Sequence, residues 1–213
     1  MEARKLAVEG ALEFTSRTFS DERGIFVAPF QQAAFETAKG GPLFAVAQGN
    51  HSLSRRGVVR GIHYTVAPPG AAKYVYCASG RCLDFTVDIR RGSPTYGKWD
   101  AVLLDQVGFR AVYLPIGVGH SFVALTDNTV MSYLTSAPYV AEHELALSPL
   151  DPALGLPIPE DIDPILSERD AAAPTLAQAA ERGLLPDYER CLELEAQLGT
   201  AAQAGHGLTG ARS

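Results

Sequence analysis

The chain has 213 residues, of which 46% are hydrophobic and 20% are charged, and its formal net charge is -6. This is the composition of a soluble globular domain, and the negative charge argues against a protein that coats nucleic acid. No apolar run is long enough to cross a membrane, and the first residues, MEARK, carry no signal-peptide core. We therefore expect one domain over residues 1–198, with no nucleic-acid or membrane partner.

Up to about Leu134 the chain alternates between apolar and polar residues in short runs that end at turn residues, a pattern that predicts strands. A helix is predicted at 31–39, ended by Gly40-Gly41-Pro42, and Pro68-Pro69-Gly70 places a loop at 65–72. The predicted strands are 6–19, 25–30, 43–50, the run around Arg60 and His63, 73–78, 82–89, 99–104, 111–114, 121–125 and 130–134. Many short strands and few helical periods indicate an all-β sandwich or barrel.

After about Ala141 the pattern changes. Five prolines between positions 149 and 164 indicate irregular chain that wraps over the surface. Two short amphipathic helices are predicted at 174–182 and 187–198, the first beginning at Pro174 and stopping at Gly183. The tail, 199–213, is rich in glycine and alanine and is predicted to be disordered.

The cysteine content favours a reducing compartment. Cys77, Cys82 and Cys191 are an odd number and have no metal-ligand spacing. The first two lie in apolar surroundings, so we expect small core residues with free thiols. Free thiols are typical of the cytoplasm, which is the location that we predict.

The segment VVRGIHY, residues 58–64, carries the side chains best suited to chemistry. Arg60 and His63 lie on a predicted strand, and Lys73 follows ten residues after His63. An imidazole that titrates near neutral pH, together with two cations, suits an anionic substrate and a proton transfer. Solvated basic residues and a structural histidine are the alternative interpretation.

Residues 115–120, PIGVGH, resemble the second motif of the cupin superfamily of β-barrels. In metal-binding cupins this histidine is a ligand, together with a His-x-His pair and a glutamate from the first motif. The matching place here is His63-Tyr64-Thr65, so the second histidine of the pair is missing. A lone histidine is a poor divalent-metal site, and we expect neither a metal nor another cofactor.

A more specific resemblance rests on segments that occur in the order of one family. They are SDERG (20–24), QGNHS (48–52), RGVVRGIHY (56–64), VDIRRGSPTYG (87–97), Tyr133, Tyr139 and PILSERD (164–170). Over about residues 4–190 the chain resembles the dTDP-4-dehydrorhamnose 3,5-epimerase family, which are metal-free cupins of nucleotide-sugar biosynthesis. The segments AKYVYC (72–77) and DPALGLP (151–157) resemble the antibiotic-pathway branch, which includes 5-epimerases of vancosamine-type sugars.

The resemblance implies a cupin or jelly-roll β-barrel with short C-terminal helices, and an epimerase of a dTDP-linked 4-keto-6-deoxyhexose. In this reaction a base removes a proton beside the ketone, a cation holds the enolate, and an acid returns a proton to the opposite face. The resemblance assigns these catalytic roles to His63 as base, Asp170 as the carboxylate behind it, Lys73 as the cation and Tyr133 as acid. Alternatives are an N-cap for Asp170, a core position for Tyr133 and a surface position for Lys73.

The resemblance also implies a set of substrate-binding residues. Arginine suits the diphosphate because a guanidinium binds two oxygens at once, and an aromatic ring such as that of Tyr139 stacks on thymine. The implied residues are Arg23, Phe26, Gln48, Asn50, Arg60, His120, Tyr139, Glu144 and Arg169. Asp84 either supports the His63 side of the site or is solvated. Ala28 and Leu134 stand where the rhamnose enzymes usually have Glu and Lys, which indicates a sugar with different substituents.

The carbon that is inverted is left open. Inversion at C5 is favoured, and inversion at C3 alone, at both carbons, or a 3,4-ketoisomerase remain as alternatives. Rivals from other classes are a non-catalytic sugar-nucleotide-binding cupin and a metal-dependent cupin. A homodimer is expected, with residues 1–12 supplying an edge strand to the partner, because a long unpaired edge otherwise needs protection.

Overall fold

The computed structural model describes the backbone of residues 1–206 and the side chains through residue 198. Its strands are β1 (Glu2–Lys5), β2 (Leu12–Thr15), β3 (Thr18–Asp21), β4 (Gly24–Val27), β5 (Gln48–Ser54), β6 (Val59–Thr65), β7 (Lys73–Ser79), β8 (Arg81–Val87), β9 (Trp99–Asp105), β10 (Arg110–Leu114), β11 (Gly119–Ala124), β12 (Thr129–Thr135) and β13 (Glu144–Ala146). Its helices are α1 (Gln32–Lys39), α2 (Glu168–Ala171), α3 (Leu176–Glu181) and α4 (Tyr188–His206), with a 3₁₀ turn at Ala141–His143.

The strands form two large antiparallel sheets and a separate hairpin. One sheet has six strands in the order β1-β2-β10-β7-β12-β5, and the other has five in the order β13-β6-β11-β8-β9. The hairpin is β3-β4. The two sheets share one apolar interior, in which Val75 and Met131 of the first meet Leu104 and Phe122 of the second. The predicted all-β barrel with short C-terminal helices is therefore present.

Both faces of strand β8 are buried, although its sequence alternates between polar and apolar residues. Phe85 and Val87 pack outward beneath the C-terminal part of the chain, whereas Cys82 points into the shared interior. Asp84 also faces inward and is 1% exposed. The interpretation of Asp84 as a solvated carboxylate is wrong, because the six-stranded sheet covers this face.

Several predicted boundaries are corrected by packing. The predicted strand 43–50 begins only at Gln48, since the apolar residues Leu43 and Phe44 pack in the cluster around α1 without pairing as a strand. The predicted strand 6–19 is divided into β2 and β3. An edge strand was expected within residues 1–12, and β1 lies there, paired with β2 of its own chain.

The predicted helices are present with shifted ends. Helix α1 ends at Gly40, whose left-handed φ of 82° suits glycine. Helix α3 is capped by Thr175 in a reciprocal pair with Gln178, so Pro174 precedes the helix instead of beginning it. Helix α4 continues beyond the predicted end at Leu198. The remainder of the predicted tail, 207–213, lies outside the described residues.

The segment 88–97 is held together by a buried ion pair between Asp88 and Arg90. Asp88 accepts hydrogen bonds from Arg90 at 2.9 Å and from Ser93 at 2.6 Å, and both members of the ion pair are 1% exposed or less. Burial alone would raise the pKa of Asp88, but these donors outweigh it and hold the pKa below its ordinary value. Arg90 also donates to the Glu9 carbonyl at 2.7 Å, which ties this segment to the N-terminal region. Within residues 1–206, no helix is both long and apolar enough to cross a membrane.

Candidate active site

A cavity of about 240 Å³ lies between the two sheets and is lined from five strands of the barrel and from residues 137–144. Eight of the thirteen predicted site residues line it: Asn50, Arg60, His63, Lys73, His120, Tyr133, Tyr139 and Glu144. They come from separate strands because alternate residues of each strand point to the same side of a sheet. The barrel thus places basic, acidic and phenolic side chains around one space.

His63 and Asp170 form a hydrogen-bonded pair at this cavity. Nε2 of His63 lies 2.7 Å from Oδ1 of Asp170, and the Asp170 side chain is 3% exposed. The second carboxylate oxygen accepts from the Gly61 N–H at 3.4 Å. Burial would raise the pKa of Asp170, but the hydrogen bond and charge of His63 outweigh burial and hold that pKa below its ordinary value. An ionised carboxylate at Nε2 keeps the proton on that nitrogen, so Nδ1 has the free lone pair that a base needs.

Asp170 lies in α2, a short helix that was not predicted from the sequence. The N-cap of this helix is Ser167, whose hydroxyl accepts the Asp170 N–H at 3.1 Å. The alternative role of Asp170 as an N-cap is therefore wrong. Its side chain is directed to His63 on β6, 107 residues earlier in the chain.

A second histidine–carboxylate pair lies beside the first. Nε2 of His120 is 2.6 Å from Oδ2 of Asp84, and both side chains are buried. His120 on β11 is the cross-strand partner of His63 on β6. Asp84 was interpreted either as support for the His63 side of the site or as solvated. Its carboxylate orients His120, the cross-strand partner of His63, because His120 and Asp84 point to the same side of two paired strands.

Tyr133 lies on the opposing sheet and is one of two tyrosines that line the cavity, the other being Tyr139. Its ring meets the His120 ring edge to face, with centroids 5.9 Å apart. Burial raises the pKa of Tyr133 well above its ordinary value, and a hydrogen bond with Ser52 acts in the opposite direction. The phenol is therefore protonated at neutral pH, as an acid must be before it gives up a proton.

Lys73 begins strand β7 and lines the same cavity. Burial lowers its pKa, Glu144 acts to raise it, and the positive charge of Arg169 lowers it further. The net effect is a pKa below the ordinary value. A developing negative charge on a bound substrate would favour the protonated amine. Glu144 is held by a hydrogen bond from Thr65 at 2.6 Å.

Two predicted residues lie behind the lining and hold it. The Gln48 amide donates to Asn50 at 2.7 Å and accepts the Tyr139 N–H at 2.8 Å. Arg169 donates to the Glu144 carbonyl at 3.0 Å. These contacts fix the positions of the cavity residues Asn50, Tyr139 and Glu144.

Arg23 and Phe26 are not brought to the cavity of their own chain. Both lie on the β3-β4 hairpin, where Phe26 is 72% exposed and Arg23 pairs with Asp21 at 2.5 Å. They line a different hollow, formed by the hairpin itself. The hairpin is outside the two large sheets, which explains why its side chains do not reach the barrel interior.

Ser52 belongs to the cavity and was given no role by the sequence analysis. It lies on β5 two residues after Asn50, so the two side chains share one face of the strand. Once the resemblance assigns Asn50 to the substrate site, strand alternation places Ser52 on the same side and could have identified it. In the described part of the chain, no three His, Cys, Asp or Glu side chains converge as a metal site requires. Of the histidines that line the cavity, His63 and His120 are each held by a separate carboxylate.

Comparison with known proteins identifies this arrangement. The sequence profile described as dTDP-4-dehydrorhamnose 3,5-epimerase matches residues 5–178. The chain belongs to this family. It is 50% identical over 195 residues to the dTDP-4-dehydrorhamnose 3,5-epimerase of Streptomyces griseus, with 92% of this chain and 96% of the relative covered.

Two solved protein structures from Streptomyces are also similar to this chain. NovW, a 4-keto-6-deoxy sugar epimerase from the novobiocin gene cluster of Streptomyces spheroides, matches at 46% identity with a TM-score of 0.86, covering 90% of this chain and 95% of NovW. ChmJ, a 3'-monoepimerase from Streptomyces bikiniensis, was solved in complex with dTDP-quinovose. It matches at 45% identity with a TM-score of 0.87, covering 92% of this chain and 98% of ChmJ. The predicted family, the cupin-type barrel and the epimerase activity on a dTDP-linked keto sugar are confirmed.

Proposed function

We propose that this epimerase works with His63 as base, Lys73 as the cation at the enolate oxygen and Tyr133 as acid. The observation that carries the proposal is that a carboxylate-supported imidazole and a protonated phenol line one cavity. Inversion requires a base on one face of the sugar ring and an acid on the other. A protein that only bound the nucleotide sugar would need neither group.

The proposed reaction has two proton transfers. Nδ1 of His63 takes the proton from a carbon beside the ketone, and the C–H electrons form the enolate. The imidazolium is stabilised by Asp170, and the enolate oxygen by the Lys73 ammonium. Tyr133 then protonates the same carbon from the opposite face and becomes a phenolate. Exchange with solvent returns a proton to Tyr133 and removes one from His63, which restores the starting state.

The inverted carbon is proposed to be C3, C5 or both. The sequence favoured C5, whereas the relatives described above are named 3,5-epimerase and 3'-monoepimerase. Those names favour activity at C3, with or without C5, over activity at C5 alone. Selectivity depends on how the ring lies between His63 and Tyr133, because the base must lie within hydrogen-bonding reach of the proton it removes.

The first prediction is proton exchange during turnover. In deuterated water the protein should place deuterium at C3, C5 or both of dTDP-4-keto-6-deoxyglucose, and NMR assigns the position. Deuterium at both carbons would identify a 3,5-epimerase. Movement of the carbonyl from C4 to C3 would instead identify the ketoisomerase. Absence of exchange with this sugar and with its 2-deoxy analogue, together with tight binding of dTDP, would contradict the proposal and favour a binding module. Elemental analysis of the purified protein tests the metal-dependent rival.

The second prediction is a homodimer. The β3-β4 hairpin exposes Phe19, Ile25 and Phe26, and strand β1 lies at an open sheet edge. Apolar patches and free edges of this kind are typically covered by a partner. If Arg23 and Phe26 contact substrate, as the family resemblance implies, they must reach the cavity of a partner subunit, since they do not reach their own. Light scattering should therefore give twice the 22.7 kDa chain mass. A monomer at micromolar concentration would contradict this prediction.

We also propose a cytoplasmic location. Cys77, Cys82 and Cys191 are free thiols in the structure, as is typical of a reducing compartment.

A further inference from the structure

The Tyr133 hydroxyl has one hydrogen-bond partner in the described part of the chain, the hydroxyl of Ser52. The Ser52 hydroxyl lies 3.5 Å from the phenol oxygen, and both side chains line the cavity. The distance is long for a bond between two hydroxyl groups. Catalytic hydrogen bonds are often long in the free enzyme and shorten when substrate binds.

The pairing of β5 with β12 accounts for this contact. Tyr133 is directly opposite Asn50, and Ser52 is opposite Met131, so Ser52 is the diagonal neighbour of Tyr133 on the same face. The neighbouring serines are occupied elsewhere. Ser54 accepts from Arg60 at 3.1 Å, and Ser132 is 2.9 Å from Nδ1 of His51 on the other face. Of these serine hydroxyls, the one of Ser52 is therefore positioned to form a hydrogen bond with the Tyr133 phenol.

We propose that Ser52 is a positioning residue, whose hydroxyl donates a hydrogen bond to the Tyr133 oxygen while Tyr133 protonates the sugar carbon. A phenol has a single proton, and during catalysis that proton must point at the carbon. The phenol oxygen can then only accept, and Ser52 is the donor within reach. When the O–H bond of Tyr133 breaks and the new C–H bond forms, the electron pair remains on the phenolate oxygen, where the Ser52 donor stabilises it.

The surroundings of Tyr133 make this donor necessary. Burial raises the pKa of Tyr133, and the negative charge of Asp84 raises it further, so the phenolate is disfavoured. Ser52 and the positive charge of Arg60 act in the opposite direction. Ser52 therefore assists only the second proton transfer. The first transfer, to His63, involves no atom that Ser52 contacts.

This separation gives a test, which rests on the proposed function. Ser52→Ala, Ser52→Thr and the control Ser132→Ala are compared with wild type on dTDP-4-keto-6-deoxyglucose in deuterated water. NMR follows two rates, the entry of deuterium with retained configuration and the appearance of inverted product. Ser132 is the matched control because it is a serine of the same strand pair whose hydroxyl bonds His51 and not the Tyr133 phenol.

We expect Ser52→Ala to lower inversion by about tenfold or more, since a hydrogen bond to a charged group contributes at least this factor. Deuterium exchange should stay within about twofold of wild type, so the ratio of inversion to exchange falls. Ser52→Thr retains the hydroxyl and should restore the ratio, and Ser132→Ala should not change it.

Results that contradict the role of Ser52 can be distinguished from results that contradict the proposed function. If both rates fall by the same factor in Ser52→Ala, or if the ratio is unchanged, Ser52 binds substrate or supports the fold and the inference is wrong while the proposed function stands. If wild type neither exchanges nor inverts any 4-keto sugar offered, the proposed function fails and the inference fails with it. Thermal melting of each variant shows whether the folded fraction is equal in the comparison.

Discussion

His63→Ala is expected to lower proton exchange and inversion together by about 10²–10⁴-fold, the usual contribution of a general base. Both rates fall because no enolate forms without the first proton transfer. Binding of dTDP should change little, since the imidazole acts at the sugar and its partner is Asp170. NMR rates in deuterated water, with calorimetric titration of dTDP, measure both quantities.

Asp170→Asn should lower the same two rates, but to a smaller extent than His63→Ala. Asparagine keeps an oxygen at Nε2 of His63 but removes the negative charge that stabilises the imidazolium. Both rates should therefore fall, and by less than in His63→Ala.

If His63→Ala retained wild-type exchange, the base would lie elsewhere. The pair of His120 with Asp84 would be the next candidate, because its hydrogen bond is equally short.

The proposed catalytic residues were named from the sequence through the family resemblance, but their contacts could not be predicted. His63 and Asp170 are 107 residues apart, and their proximity depends on the path of the C-terminal segment across the barrel. The resemblance supplied that pairing. For Asp84 the sequence left open whether the carboxylate supports the His63 side of the site or is solvated, and it did not indicate the pairing with His120. Choosing between His63 and His120 requires the pairing of β8 with β11, which no local pattern encodes.

For the fold, too, elements that depend on local sequence were predicted, and features that depend on long-range packing were not. Strand β8 was predicted from alternation, and helix α1 from its composition and terminal glycine. The segment 43–47 was misjudged because apolar residues that pack against a helix resemble those of a buried strand. The location of the β3-β4 hairpin outside both sheets was also beyond prediction, since its short alternating runs resemble those of the barrel strands.

Tyr133→Phe is the change that most sharply separates the two proton transfers. Phenylalanine keeps the ring that packs against His120 and removes only the proton donor. His63 still forms the enolate, so deuterium should continue to enter the substrate with retained configuration. Inversion should fall by about 10²–10⁴-fold, because the acid on the opposite face is missing. The same NMR experiment reports both rates in one sample.

Tyr76→Phe is a matched control. Tyr76 lies on the neighbouring strand β7, and its ring packs against the cluster around α1 and does not line the cavity. This variant should invert substrate at the wild-type rate. If Tyr133→Phe lost exchange together with inversion, the phenol would be needed to form the enolate and Tyr133 would act before or with His63. If inversion persisted at the wild-type rate, the second proton would come from water or from another cavity residue, and Ser52 would lose the role that its contact with Tyr133 implies.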